Sequence, residues 1–348
     1  MADKASIRLT QTVKKGGCAA KIAAGTLSSL LKTLPRQSHP DLVVGSDLLD
    51  DAAVWRLSSG QLLVQTLDFF TPILDDPRDF GAVAAANALS DVYAMGATPI
   101  TALTILAYPL ETLGEEVLAE LMAGAVDKVG ESGALLVGGH SIEDDTLKLG
   151  FSVAGLAAPD GLWSNQGARN GDVLVLTKAV GTGTLTGALK SGELSCLDIS
   201  EAVRSMTALN RLDLPAELHR AVHAATDVTG FGLLGHALHL AQGSKLSLRL
   251  ESEAVPLLEH AAETLARGVL TRAHGSNTRY VEAEVGGREA ISEAAWLALV
   301  DPQTSGGLLL SVAADAVPAL LAHLRPRFPR AAAVGEVVSR TEKPLLIS

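Results

Sequence analysis

Asp50-Asp51-Ala52-Ala53-Val54-Trp55-Arg56-Leu57-Ser58-Ser59-Gly60-Gln61-Leu62-Leu63-Val64-Gln65-Thr66-Leu67-Asp68 decides how the chain is read. Ala52 to Leu57 and Leu62 to Leu67 are strand-like runs, and Ser58-Ser59-Gly60-Gln61 between them predicts a hairpin connection. In an antiparallel pair, Asp50 and Asp51 before the first strand and Asp68 after the second converge at one end of the sheet. Downstream, Asp79 to Met95 has helical spacing, with Val83, Ala84, Asn87, Ala88, Asp91 and Met95 on one general face. Asp91 on that Ala-rich face is either an exposed helix acid or a buried one that needs a cation or metal. A strand at Ile100–Ala107, a helix at Glu111–Glu131, a strand at Ala134–Val137 and a strand at Leu147–Ala157 follow. Strands alternate with helices, which predicts an α/β protein with α+β layering.

Composition supports two domains. At 348 residues the chain exceeds one ordinary core, and 33 glycines with only 3% aromatics fit an α/β protein built on Ala, Val and Leu. A formal net charge of −11 argues against broad nucleic-acid binding, so any phosphate must be held locally. No apolar run is long enough for a membrane span, and Met1-Ala2-Asp3-Lys4 lacks a signal-peptide core, so a cytoplasmic protein is expected. Cys18 and Cys196 are the only cysteines, too few for a disulfide framework and too far apart for a zinc pattern.

The expected divisions are an N-terminal arm over 1–45, a first domain over 46–157 and a second over 158–348. The change of composition at Ala158-Pro159-Asp160-Gly161 and Asn165-Gln166-Gly167 sets the second boundary. Val137 runs into Gly138-Gly139-His140-Ser141, read as a glycine cradle after a strand, with His140 a contact rather than an acid-base group. Gly181-Thr182-Gly183 lacks the dinucleotide and P-loop patterns and reads as a structural turn. Ala225 to His236 reads as strand, tight turn and helix, which puts Asp227 where a metal, a phosphate or a helix N-cap role would place it.

In the arm, Lys14-Lys15-Gly16-Gly17-Cys18-Ala19-Ala20-Lys21 sets a thiol among three lysines and after two glycines. Such a field can lower a thiol from about 8.5 into the range of roughly 3.5 to 7.5, although a cysteine beside glycine can also be a small packed residue. A short helix from Ile22 to Leu34 should follow. The acids together suit magnesium and a polyphosphate, with Asp51, Asp91 and Asp227 as ligands and Lys21 at the transferred phosphate. The thiol suits a soft acceptor such as sulfur or selenium.

Ile7-Arg8-Leu9-Thr10, Gly17-Cys18 with Lys21, Asp50-Asp51-Ala52-Ala53-Val54, Asp68-Phe69-Phe70, Asn87-Ala88-Leu89-Ser90-Asp91, Gly138-Gly139-His140-Ser141, Thr226 to Gly235 and Asp301 to Leu309 resemble the selenophosphate synthetase family over nearly the whole chain. The resemblance implies two α/β domains of the aminoimidazole-ribonucleotide-synthetase type and a homodimer. It further implies ATP and magnesium used to make selenophosphate, AMP and orthophosphate from selenide and water. Potassium dependence and a protein that delivers selenium are in keeping with it. It implies Cys18 and Lys21 as the catalytic pair, Asp51, Asp91 and Asp227 as magnesium ligands, and Leu48, Leu49, Asp50, Asp68, Asp91 and Gly139-His140-Ser141, with Lys21, as nucleotide contacts. Ala19 and Ala20 depart from the family, which commonly has glycine after the catalytic position and often a second cysteine before the lysine; no local cysteine pair can form here. Siblings of the same fold, a thiamine-monophosphate kinase or an aminoimidazole ribonucleotide synthetase, are the rival reading, and a non-catalytic nucleotide-binding protein is the third.

Overall fold

The computed structural model describes residues 8–13, 16–17, 30, 33, 38–45 and 50–348. A short strand β1 (Leu42–Val44) leads to the expected hairpin, in which β2 (Ala53–Arg56) pairs antiparallel with β3 (Leu62–Phe70) and Arg56 faces Leu62. β3 runs further than predicted, so Asp68 lies within the strand and not after it.

Helix α1 (Pro77–Ala94) starts where Asp76 accepts a hydrogen bond from the Asp79 N–H at 2.8 Å, with Pro77 in the first turn where its missing N–H does no harm. Nearly all of α1 is buried, which explains its Ala-rich composition: it packs on the sheet with one side and on α2 (Leu110–Ser132) with another. The two helices cross at close range. A Cβ on Gly81 would stand 1.9 Å from the Leu121 carbonyl oxygen, and one on Gly124 would stand 2.0 Å from that of Arg78. Only glycine permits that approach.

β4 (Thr98–Tyr108), β5 (Leu135–Glu143) and β6 (Lys148–Ala157) complete a six-stranded sheet in the order β1-β2-β3-β6-β4-β5. Here one expectation is corrected. Gly138-Gly139-His140-Ser141 is not a loop following a strand but the middle of β5, which pairs parallel with β4 across a bulge between Ala102 and Thr104. Gly139 needs its glycine: φ is +151°, and a Cβ would lie 2.2 Å from the Thr104 carbonyl oxygen.

The second sheet contains β7 (Val173–Leu176), β8 (Val222–Asp227), β9 (Ser247–Leu250), β10 (Val285–Gly286), β11 (Leu308–Val312), β12 (Ala332–Val338) and β13 (Leu345–Ile347), in the order β10-β13-β9-β12-β7-β11-β8. Its helices are α3 (Thr182–Ser191), α4 (Ser200–Thr207), α5 (Ala216–Ala221), α6 (Gly232–Ser244), α7 (Ala261–Ala266), α8 (Arg272–Val281), α9 (Glu293–Val300) and α10 (Val317–Leu324). Cys196 lies exposed outside any helix. Leu185, Leu189 and Met206 pack into the apolar core of the first sheet, so the halves share a core.

The described part of the arm is tied down rather than loose. Leu9 is buried, Arg8 Nε pairs with Asp75 at 2.7 Å, and the Thr10 hydroxyl donates to Asp75 at 2.6 Å. The Gly17 N–H donates to the Thr71 carbonyl at 3.0 Å. The helix expected at Ile22–Leu34 falls almost entirely outside the described residues. Among the described residues no helix is long and apolar enough to cross a membrane.

Candidate active site

Asp50, Asp51, Asp68, Asp91 and Asp227 line one cavity of about 220 Å³, closed elsewhere by Thr66, Leu67, Thr229, Phe231, His236 and His239. Its acids come from the start of β2, from β3, from α1 and from the end of β8. The sequence-level convergence of Asp50, Asp51 and Asp68 is thus realised, and the fold adds the other two. Asp227 does not cap α6: Phe231 holds that position, which leaves the carboxylate to the cavity.

Asp50, Asp51, Asp68 and Asp91 are each held by a hydrogen-bond donor. The Thr226 hydroxyl donates to Asp51 Oδ1 at 2.9 Å, the Thr66 hydroxyl donates to Asp91 Oδ2, and the Asn165 N–H donates to Asp50 Oδ1 at 2.6 Å. Asn87 Nδ2 donates to Asp68 Oδ2 at 2.6 Å, while Asn87 Oδ1 accepts from the Ser305 N–H at 2.8 Å. Asn210 repeats the motif one turn along α1, bridging the Ser90 hydroxyl and the Gly306 carbonyl at 2.8 Å each. Sequence reading missed Asn87 as a clamp, and its spacing of four from Asp91 on a buried face was the available signal.

Burial and like charge act together here. Desolvation, and then the neighbouring Asp227, push both Asp51 and Asp91 well above the ordinary carboxylate range. Asp51 Oδ2 is buried and accepts no hydrogen bond. An assembly of hard oxygen ligands that repel one another, with a buried oxygen left unsatisfied on Asp51, is matched to a cation. Opposite the acids, His239 is drawn down to about 4 by burial and bonds Tyr280 Oη through Nε2 at 3.0 Å, so it stands uncharged. His236 Nε2 accepts from the Thr229 N–H at 3.1 Å, which places the ring proton on Nδ1. These two histidines, spaced three apart on α6, were not singled out as site residues.

One cation sits behind the cavity. Lys178, only 4% exposed, donates to the carbonyls of Ala208 at 2.7 Å and Ser305 at 3.1 Å. Burial brings its pKa down to about 7, although Asp227 pulls it upward.

Gly139, His140 and Ser141 are not brought to the acids within one chain. β5 is the sheet edge, separated from Asp68 on β3 by β4 and β6, which is about 14 Å at the usual strand spacing. Cys18, Lys21, Leu48 and Leu49 lie outside the described residues.

The chain matches two family models: AIR synthase related protein, N-terminal domain, over residues 49–157, and AIR synthase related protein, C-terminal domain, over residues 169–346. Thiamine monophosphate kinase from Aquifex aeolicus aligns with a TM-score of 0.65 at 19% identity, covering 93% of this chain and 96% of that one, and AaThiL complexed with AMPPCP and TMP gives 0.68 at 19% over 93% of each; these establish the fold. In sequence, the selenide, water dikinases of Bdellovibrio bacteriovorus and Nitrosomonas eutropha are each 50% identical, over 98% and 97% respectively of both chains. That of Clostridium botulinum is 40% identical over 98% of this chain and 99% of its own. On this identity over full length, and with the AIR-synthase-related fold beneath it, the chain belongs to the selenide, water dikinase family.

Proposed function

We propose that this chain makes selenophosphate from selenide, ATP and water, releasing AMP and orthophosphate. The observation that carries the reading is the gathering of five carboxylates from both halves of the chain into one cavity, two of them raised by burial and then by the neighbouring Asp227, with Asp50 Oδ2 and Asp51 Oδ2 buried without a hydrogen bond. Among the described residues no three His, Cys, Asp or Glu form a ready metal cage. A magnesium ion held by these carboxylates would take its remaining ligands from phosphate oxygens and water. Asp51, Asp91 and Asp227 are the proposed ligands. Magnesium bound there would neutralise polyphosphate charge as it develops.

ATP carries three phosphorus atoms, and the products divide them one each among AMP, orthophosphate and selenophosphate. Two P–O bonds therefore break, and the nucleotide must be kept in place between the two events. The clamps from Asn87 and Thr66 fix the orientation of Asp68 and Asp91, so the acids meet the polyphosphate already positioned. Phe231 and the uncharged His239 line the side of the cavity without carboxylates and restrict bulk water. Lys21 adds positive charge at the transferred phosphoryl group, and the Cys18 thiolate presents or activates the selenium acceptor.

The nucleotide contacts assigned to Gly139, His140 and Ser141 are best met from a second chain. Leu67, Phe69, Leu103, Leu135 and Val137 stand exposed on the first sheet, with Leu135 68% accessible, and α1 and α2 cover the opposite face. A sheet face this apolar is suited to pairing with its own copy, which is our reading of the homodimer. A cytoplasmic location, potassium dependence and a selenium-delivery partner extend the same reading.

With ATP and selenide under anaerobic reducing conditions, phosphorus NMR should show AMP, orthophosphate and a selenium-bound phosphate. Cys18→Ser should sharply reduce selenophosphate while nucleotide binding persists. ADP as the only nucleotide product, unchanged by Cys18→Ser, would sink the dikinase reading and the thiol's role with it.

A further inference from the structure

We propose that a second pocket, on the C-terminal half, binds a small phosphate-class dianion, either orthophosphate or a phosphate monoester. This pocket of about 390 Å³ shares no lining residue with the acid cavity. Lys178, Arg204, Arg327 and Arg330 line it against a single acid, Glu201. In a chain of net charge −11 that balance is locally reversed.

The accounting of partners leaves positive charge over. Arg330 pairs with Glu201 at 2.9 Å, and Glu201 also accepts the Glu259 N–H at 2.7 Å. Arg327 has two longer pairings outside the lining, with Asp213 at 3.6 Å and Glu131 at 3.8 Å. Among the described residues Arg204, exposed on α4, and Lys178 form no ion pair. Lys178 carries the argument. Its ammonium has three N–H donors, two of which reach the carbonyls of Ala208 and Ser305; the third has no protein acceptor among the described residues, and the side chain lines the pocket. Asp227 favours the charged ammonium from the acid cavity, but burial against neutral carbonyls outweighs it and Arg327 and Lys128 add like charge, so an anion on the pocket side would complete the site.

The geometry sets the class of anion. Planar guanidinium groups and one ammonium match phosphate oxygens. Phe328, Pro326 and Leu258 supply an apolar wall that leaves room for the organic part of a monoester.

The test uses the full chain with its catalytic cavity saturated by magnesium and a non-hydrolysable ATP analogue, and follows radiolabelled orthophosphate by equilibrium dialysis. One phosphate per chain is expected. Arg204→Glu, a surface change outside the catalytic cavity, should weaken it by about tenfold or more while selenide-dependent AMP formation continues. Lys178→Met should weaken it as well. Displacement by unlabelled AMP identifies a monoester as ligand, and displacement by orthophosphate alone identifies the free anion. Absence of saturable phosphate in the blocked protein, or equal binding in Arg204→Glu, overturns the proposal.

Discussion

Replacing Lys178 by Met should remove a pH dependence of stability that this one residue builds into the fold. The group is buried, and its pKa falls from 10.5 to about 7, chiefly through desolvation; Arg327 and Lys128 push the same way and Asp227 opposes them. In the unfolded chain the lysine stays protonated up to about 10.4. Between these values the unfolded state binds more protons than the native one, so stability rises with pH across the window from about 7 to about 10.5. Integrated from pH 7 to pH 9, this contribution grows by about 2 kcal/mol. Met keeps the length and apolar stem but titrates nowhere. It also leaves the Ala208 and Ser305 carbonyls without their donor, at about 1–3 kcal/mol each, which offsets the relief from burying charge and makes the absolute change in stability small. The slope is the informative quantity. Urea denaturation at pH 7, 8 and 9 in phosphate-free buffer should show the natural chain gaining about 2 kcal/mol over the variant across the series. Parallel curves would refute both the burial of an unpaired ammonium and the depressed titration derived from it.

The other expectations concern the acid cavity and the edge strand. Asp227→Ala should fold, because it relieves repulsion felt by both Asp51 and Asp91, yet lose magnesium-dependent AMP formation; ordinary turnover in a folded variant removes Asp227 from the site. Gly139→Ala should destabilise by about 2 kcal/mol or more, since its Cβ would fall 2.2 Å from the Thr104 carbonyl oxygen at a φ of +151°. A melting temperature unchanged by that substitution would show that β5 gives way without penalty.

What could be read in the sequence was whatever rests on local rules. Two strand-like runs with a Gly-containing connection predicted the β2–β3 hairpin, and a strand, a glycine-rich turn and a helix placed Asp227 at a sheet end. The second sheet's small elements escaped because β13 and α9 lie in stretches of mixed, short periodicity. Gly138 and Gly139 misled for a physical reason: paired glycines normally break a strand, whereas here β5 passes so close to Thr104 that only glycine lets it continue. The spacing of Asn87 from Asp91 marked it as a buried polar residue, but its partner Ser305 lies 218 residues away, and no local pattern encodes a contact of that separation.

Those distant contacts decide how the molecule can move. α1 presents Asn87, Ser90 and Asp91 within about one turn, and together they tie β3 to the C-terminal half: Asn87 to Asp68 and the Ser305 N–H, Ser90 to Asn210, Asp91 to Thr66. Asn210 and Lys178 then hold Gly306 and Ser305 from the other side. A hinge between the two sheets would break the Asn87–Ser305 and Asn210–Ser90 bonds, each worth roughly 0.5–1.5 kcal/mol, and would open the shared core of Leu185, Leu189 and Met206 to water. Such a change would also separate Asp68 and Asp91 from Asp227, dispersing the carboxylates as the nucleotide arrives. On the proposed reading, closure around ATP would therefore have to come from elements outside this frame, while α1 and the Ser305–Gly307 segment stay fixed and keep the acids in register.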